Sequence, residues 1–167
     1  MNFLVQDSDG LFSHTITIKS HPSTTRYYLY TGSGIGFSNI TLTYEPVGAE
    51  YRAKYAAIYA EVEKKYNTNG YPAFLLGDMN SRPTDAASVE YRKYWNDVYR
   101  SVAPDMIAGP FATYNAFDLE RDLNADTKRL DYIYYRNATP LNYVCNSTKY
   151  DNLYASDHLP VYADMVI

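Results

Sequence analysis

Three short stretches of the chain carry side chains of the kinds that move protons and hold charge. The first, Gly77-Asp78-Met79-Asn80-Ser81, sets an acid and an amide two residues apart directly after the apolar run Ala73-Phe74-Leu75-Leu76. The second, Arg129-Leu130-Asp131-Tyr132-Ile133, opens another apolar stretch with a charged pair. The third, Ala155-Ser156-Asp157-His158-Leu159-Pro160, places an acid beside an imidazole before the last apolar segment. A tight turn after a buried strand lifts polar side chains to the end of a sheet, a common place for catalysis. An aspartate at the head of a buried strand costs free energy unless it has a partner. A histidine is such a partner, because a carboxylate fixes the tautomer of an imidazole and raises its basicity. Taken singly the signals are weak. An isolated GDxN turn commonly does no more than hydrogen-bond its own backbone, and a lone histidine is usually a satisfied structural group.

The elements that must position these residues follow from pattern. Residues 13–19 (SHTITIK) and 26–31 (RYYLYT) alternate apolar and polar with His21-Pro22-Ser23-Thr24 between them, which predicts a hairpin. Ile40, Leu42 and Tyr44 predict a third strand. Gly32-Ser33-Gly34-Ile35-Gly36 is a strand connection, since no helix follows it as a dinucleotide fingerprint requires. From Ala49 to about Tyr66 there is no Gly or Pro, and Ala53, Ala56, Ala57, Ala60 and Val62 recur at helical steps. Asn67-Thr68-Asn69-Gly70 stops that helix, and the run 73–76 is short and continuous, as in a buried strand. Residues 86–96 predict a short helix with Tyr91, Tyr94 and Trp95 on one side. Phe111–Tyr114, Leu130–Tyr135, Leu141–Val144 and Leu159–Val166 predict strands. The order β-β-β-α-β-α-β-β-β-β, with only two helices, predicts an α+β layered sheet rather than a doubly wound one.

Composition bounds the rest. The 167 residues suit one domain, and 46% hydrophobic against 20% charged residues is an ordinary globular balance. There are 20 Tyr against 6 Phe and 1 Trp, which implies many rings half-buried with the hydroxyl in water. A net charge of −4, without a long run of either sign, disfavours a protein that coats polyanions through bulk positive potential. The single Cys145 excludes an intrachain disulfide and reads as a small buried hydrophobe. Asn39-Ile40-Thr41, Asn137-Ala138-Thr139 and Asn146-Ser147-Thr148 are glycosylation sequons only if the chain is secreted. No stretch approaches the roughly 18 apolar residues of a membrane span, and MNFLVQDSDG lacks the features of a signal peptide. The chain is therefore expected to be cytosolic, or secreted with its leader missing, and its compartment stays open.

In this order, each beside an apolar strand, the motifs GDMNSRPTD, Ala112-Thr113-Tyr114-Asn115, RLDYIYY and ASDHLPV resemble the endonuclease/exonuclease/phosphatase superfamily, the fold of DNase I and exonuclease III. The resemblance runs from the helix at 49 to the C-terminus, about two-thirds of the chain. It implies a layered α/β sandwich and a divalent-metal-dependent phosphoesterase acting on a phosphodiester such as nucleic acid. By position, Asp78 would orient or deprotonate the attacking water and Asn80 would hold that water and a phosphate oxygen. Asp157 would bind Mg²⁺ or Mn²⁺, His158 would meet developing charge on the phosphate, and Asp131 would hold His158. Asn39, Thr41, Tyr114 and Asn115 are the expected substrate contacts, and Arg129 is either a phosphate contact or half of a structural ion pair.

The chain also departs from the pattern. The family's first layer supplies an Asn and a metal-ligand Glu, and here no Glu precedes Glu45. Thr41 stands where an imidazole is usual, and Tyr55 where the following helix commonly has Gln. The expectation is a single domain over 1–167, truncated relative to the family, with 1–36 as poorly matched N-terminal strands and much of the first layer missing. Two functions compete on this reading. One is the phosphoesterase, and the other is a catalytically weak or inactive module that binds a partner or forms a homodimer through an exposed sheet face.

Overall fold

A computed structural model describes residues 48–167 and, before them, two short strands, β1 (Val5–Gln6) and β2 (Phe12–Ser13), paired antiparallel. Apart from Ser13, the expected hairpin over 13–19 and 26–31, the strand at 40–44, Glu45 and the expected contacts Asn39 and Thr41 lie outside the described residues.

Helix α1 (Gly48–Tyr66) matches the predicted span, with Glu50 in its first turn and Lys64 and Lys65 in its last, charges that suit the helix dipole. Asn67 closes it: its amide donates to the Glu63 carboxylate and the Tyr71 carbonyl, and its oxygen accepts from the Tyr71 N–H. The small residues Ala56 and Ala60 face inward, allowing close approach to α2 (Ala86–Tyr94). On α2, Tyr91 is buried and Trp95 caps the end in the core. Tyr94 points outward, contrary to expectation, because the chain leaves the helix there for a strand.

The strand that organises the molecule is β6 (Asp131–Arg136), which lies between β3 (Ala73–Asp78) and β4 (Asn96–Asp97), antiparallel to both. Its side chains alternate between two cores, as a strand buried on both faces requires. Tyr132 and Tyr134 pack with Leu75, Met79, Tyr91 and Trp95, whereas Ile133 and Tyr135 pack with Val98, Tyr143, Leu159 and Val161. The second core sits against a sheet of β5 (Ile107–Ala108), β8 (Tyr143–Cys145) and β9 (Val161–Tyr162), β5 running parallel to β8 and β9 antiparallel. β7 (Thr139–Pro140) pairs with β10 (Met165–Val166). Gly109 follows β5 at φ +84°, and a Cβ there would stand 1.8 Å from the Cys145 carbonyl oxygen, so the approach of β5 to β8 needs glycine.

Three strand expectations change. Leu159–Val166 breaks into β9 and β10, Leu141–Val144 is a strand only from Tyr143 on, and Phe111–Tyr114 forms no ladder, the N–H groups of Ala112, Thr113 and Tyr114 going instead to Leu123 and Lys128 carbonyls. The short helix α3 (Val98–Ser101) and a 3₁₀ turn (Pro104–Met106) were not foreseen. Asp97 explains α3. Its carboxylate caps the Tyr99 N–H and also forms a bidentate pair with Arg129, at 3.1 and 2.5 Å. Both side chains of that pair are 1% exposed, and the guanidinium lies 4.7 Å from the Tyr99 ring centre and 4.3 Å from that of Tyr132.

Arg129 is therefore a buried structural cation. Replacing it alone leaves Asp97 charged and unpaired in the core. Arg129→Leu is expected to lower stability by about 3–5 kcal/mol in urea unfolding, and adding Asp97→Leu to restore much of it. A single variant within about 1 kcal/mol of the native chain, like an exposed pair, would contradict the assignment.

Candidate active site

The ladder between β3 and β6 ends with Asp78 directly opposite Asp131. Two carboxylates on adjacent strands repel, and here a third group lies between them. His158 Nδ1 is 2.7 Å from Asp131 Oδ2, and its Nε2 is 4.0 Å from Asp78 Oδ2. Asp131 is 1% exposed, while the side chains of His158 and Asp78 are 21% and 20% exposed, so these two form the open side of the cluster. With Nδ1 held by Asp131, the atom that faces the shared space is Nε2.

Each group is positioned by its backbone. Met79 is wholly buried and donates its N–H to the Leu130 carbonyl at 2.9 Å, which pins the turn after β3. Asn80 adopts φ +45°, a left-handed conformation that Asn tolerates, and its N–H donates to Asp78 Oδ1 at 2.7 Å. The bland reading of the GDxN turn is thus half correct: Asp78 does accept from its own turn, with its other oxygen toward His158.

Segment 112–116 is the wedge between the two remaining loops. Thr113 Oγ1 accepts from the N–H groups of Leu130 and Asp131 at 2.9 and 3.0 Å, and the Thr113 carbonyl accepts from Leu159 N–H at 2.6 Å. Asn115 N–H donates to the Asp157 carbonyl at 2.8 Å. The expected substrate contact at Asn115 is placed otherwise: the residue is fully buried, its amide donating to the Ser156 carbonyl at 2.9 Å and accepting from Phe117 N–H at 2.7 Å. It holds the loop that carries His158. Tyr114 bridges His158 through the backbone, and its ring meets the imidazole edge-on with centres 5.1 Å apart. The sequence pattern predicts this stretch as a strand with substrate contacts at Tyr114 and Asn115. Thr113 was missed, because nothing local marks a threonine whose partners lie 17 and 18 residues away.

The electrostatics follow from burial and proximity. Burial pushes the Asp78 carboxyl up to about 6, with the charges of Asp131 and Asp157 adding to it and the Asn80 N–H and His158 opposing. Burial alone would disfavour the imidazolium of His158. The hydrogen bond and charge of Asp131 outweigh it, helped by Asp78 and Asp157, and hold His158 above its ordinary value of 6.5.

Among the described residues, Asp78, Asp131 and His158 form a group whose ligand atoms all lie within 4.8 Å of one another. Not all of that donor set is available to a hard cation, since Asp131 is committed to His158 and His158 is biased toward its protonated form. The Asp157 carboxylate fits one better, since Mg²⁺ is usually held by one or two carboxylates with water and substrate completing the shell. Asp157, the expected metal ligand, lies beside the cluster rather than inside it, near enough for its charge to act on both Asp78 and His158.

The Endonuclease/Exonuclease/phosphatase family matches the chain over residues 11–158. No curated protein sequence matches it. Among solved structures, a functionally unknown conserved protein from Enterococcus faecalis V583 is 22% identical with a TM-score of 0.67, over 77% of this chain and 48% of that one. A family protein from Bacteroides thetaiotaomicron is 23% identical with a TM-score of 0.62, over 72% and 46%. A mannosyl-6-phosphatase of Bacteroides thetaiotaomicron VPI-5482 is 21% identical with a TM-score of 0.58, over 71% and 46%. The chain spans about half the length of each. These likenesses establish an α+β fold of the DNase I-like type.

A direct check on the geometry is the titration of His158. In the metal-free protein its imidazole should titrate above 6.5 by NMR, and in Asp131→Asn it should fall, because the largest of the charges opposing burial is then gone. A native midpoint at or below the ordinary value would refute the carboxylate-braced imidazole.

Proposed function

The chain belongs to the Endonuclease/Exonuclease/phosphatase family, and from that membership we propose that it is a divalent-metal-dependent phosphoesterase that hydrolyses a phosphodiester such as nucleic acid. The observation that carries this reading is the convergence of Asp78, Asp131 and His158 from three separate segments onto one half-open face. Phosphodiester hydrolysis needs a positioned water, a donor where negative charge develops and a cation on the phosphoryl oxygens.

Asp78 is suited to the first task. A carboxyl raised to about 6 is a stronger base than an ordinary aspartate and is still largely ionised at neutral pH. Asn80, held by its turn two residues on, would steady the water and a phosphate oxygen. His158, kept toward the imidazolium by Asp131, would donate through Nε2 to the charge that develops on the phosphate. Asp131 touches no substrate in this scheme and acts by positioning His158. Asp157 would hold Mg²⁺ or Mn²⁺, which when bound polarises a phosphoryl oxygen and neutralises part of its charge.

A second reading keeps the fold and makes the chain a binding or dimerising module. Because β6 is buried on both faces, the face considered for such pairing among the described residues is that of α1, where Tyr51, Tyr55, Ile58 and Val62 are 57%, 39%, 47% and 46% exposed. Their spacing of four, three and four residues is that of a coiled-coil seam, which suits a second copy of the same helix. Light scattering over a concentration series should give twice the chain mass, with Ile58→Glu returning it to one. A monomer throughout would exclude the pairing.

For the enzymatic reading, hydrolysis of bis(p-nitrophenyl) phosphate should require added Mg²⁺ or Mn²⁺ and stop with EDTA. Asp78→Ala and His158→Ala should each lower kcat/KM by about 10²-fold or more. Equal rates in the native chain and both variants would end the proposal.

A further inference from the structure

The phosphoesterase scheme leaves unused a pair of cations beside the site. Arg121 and Lys128 both stand on the ring of Tyr114, at 5.4 and 5.1 Å from its centre, and that ring is itself in edge contact with His158. The two cations are not equivalent. Arg121 is ion-paired with Asp126, whereas the Lys128 ammonium acts on that same carboxylate only through its charge, with no carboxylate among the described residues within ion-pairing distance of it. Lys128 is also held firmly at its backbone. Its carbonyl accepts from the N–H groups of Thr113 and Tyr114, and its own N–H donates to Asp126 at 2.8 Å. A surplus positive charge is thus fixed one ring away from the imidazole, in a protein whose net charge is −4.

Beyond Arg121 the surface opens into a groove of about 510 Å³ lined by Asn124, Ser147, Lys149 and Tyr154 among others. Lys149 donates to the Leu119 carbonyl at 3.2 Å and lies over the Tyr154 ring, so this end too is basic and aromatic. Arg121 is the residue shared by this groove, whose lining also includes Asp122, and by the Tyr114 ring beside His158.

We propose that Tyr114, Arg121 and Lys128 form an anion subsite that holds a second phosphate of the substrate, separate from the one that is hydrolysed. This rests on the phosphoesterase reading and narrows it to substrates with more than one phosphate. The ring supplies a rigid platform, Lys128 supplies the unpaired charge, and Arg121 can share its guanidinium between Asp126 and an anion. Because the backbones of Tyr114 and Lys128 are already tied down, little ordering is needed on binding.

The test is equilibrium binding by calorimetry to the full chain without metal, so it does not depend on turnover. Thymidine 3′,5′-bisphosphate is compared with thymidine 5′-monophosphate, and glucose 1,6-bisphosphate with glucose 6-phosphate. In at least one pair the bisphosphate should bind about tenfold tighter, and the pair that does so tells whether the second phosphate sits on a nucleotide or on another sugar. Lys128→Gln should remove most of that advantage and Arg121→Gln part of it. Lys93→Gln, an equal loss of charge on the exposed face of α2, should leave it intact. Equal affinities within both pairs, no measurable binding of any of the four, or the same loss in Lys93→Gln would each overturn the subsite. A chain that hydrolyses bis(p-nitrophenyl) phosphate yet shows no bisphosphate preference rejects this inference alone. One that hydrolyses nothing yet keeps the preference rejects the catalytic reading alone.

Discussion

Two like charges set opposite each other at the end of a ladder are the constraint from which the site follows. The register of β3 on β6 places Asp78 against Asp131, and a slip of one residue would send both carboxylates, and every apolar residue behind them, to the wrong faces. Burying two carboxylates together is unfavourable, and the structure resolves this by separating their environments. Asp131 is sealed and given an imidazole, while Asp78 keeps one open edge and accepts a backbone N–H. Burial, with the neighbouring carboxylate charges, pushes Asp78 upward, and the hydrogen bond and charge of Asp131 lift His158. One group is biased toward accepting a proton and the other toward donating, at 4.0 Å from each other.

Such a pair is useful only if neither member drifts, and most of the surrounding structure restrains it. On one side, segment 112–116 ties the Asp131 strand to the His158 loop through Thr113 and Asn115, neither of which reaches solvent. On the other, the Arg129–Asp97 pair locks the start of β6 to β4 from behind, with aromatic rings against the guanidinium. Supporting residues whose own hydrogen bonds are complete leave the reacting groups few alternative rotamers. The buried ion pair contributes specificity of register more than net stability, since an apolar pair of equal volume would also fill the space.

How much of this was legible in the chain depended on whether the information was local. Helix α1 and the strands β3 and β6 have a period or an unbroken apolar run, Asp78 ends β3 and Asp131 opens β6, and His158 stands beside an acid just before the last apolar segment, so the group could be read before any geometry. What could not be read depends on partners distant in sequence. Asp97 and Arg129 are 32 residues apart, so nothing local distinguishes a phosphate-binding arginine from a buried one. Asn115 was read as a surface contact because Asn usually is one. Its burial comes from the loop folded over it. The two-residue strands β4, β5, β7, β9 and β10 are too short to carry a pattern, and tertiary contacts hold them. Asn39 and Thr41 lie outside the described residues.

The same electrostatics constrain what can bind. Asp78, Asp131 and Asp157 make the floor of the site acidic, and a phosphate approaching it meets like charge from the carboxylates that are meant to act on it. An acidic floor and an anionic substrate are compatible only if cations stand between them. His158 supplies one from within, and a divalent ion held by Asp157 would supply a second. The ring of Tyr114, carrying Lys128 and Arg121, adds positive charge at the rim without bringing it into contact with the carboxylates below. That arrangement separates attraction from chemistry. Field at the rim draws and orients an anion over about a Debye length, and the buried pair keeps its own titration largely independent of it. It also explains how a chain of net negative charge can be suited to a polyanionic ligand: what matters is a few fixed cations beside one acidic pocket, not the average over the surface.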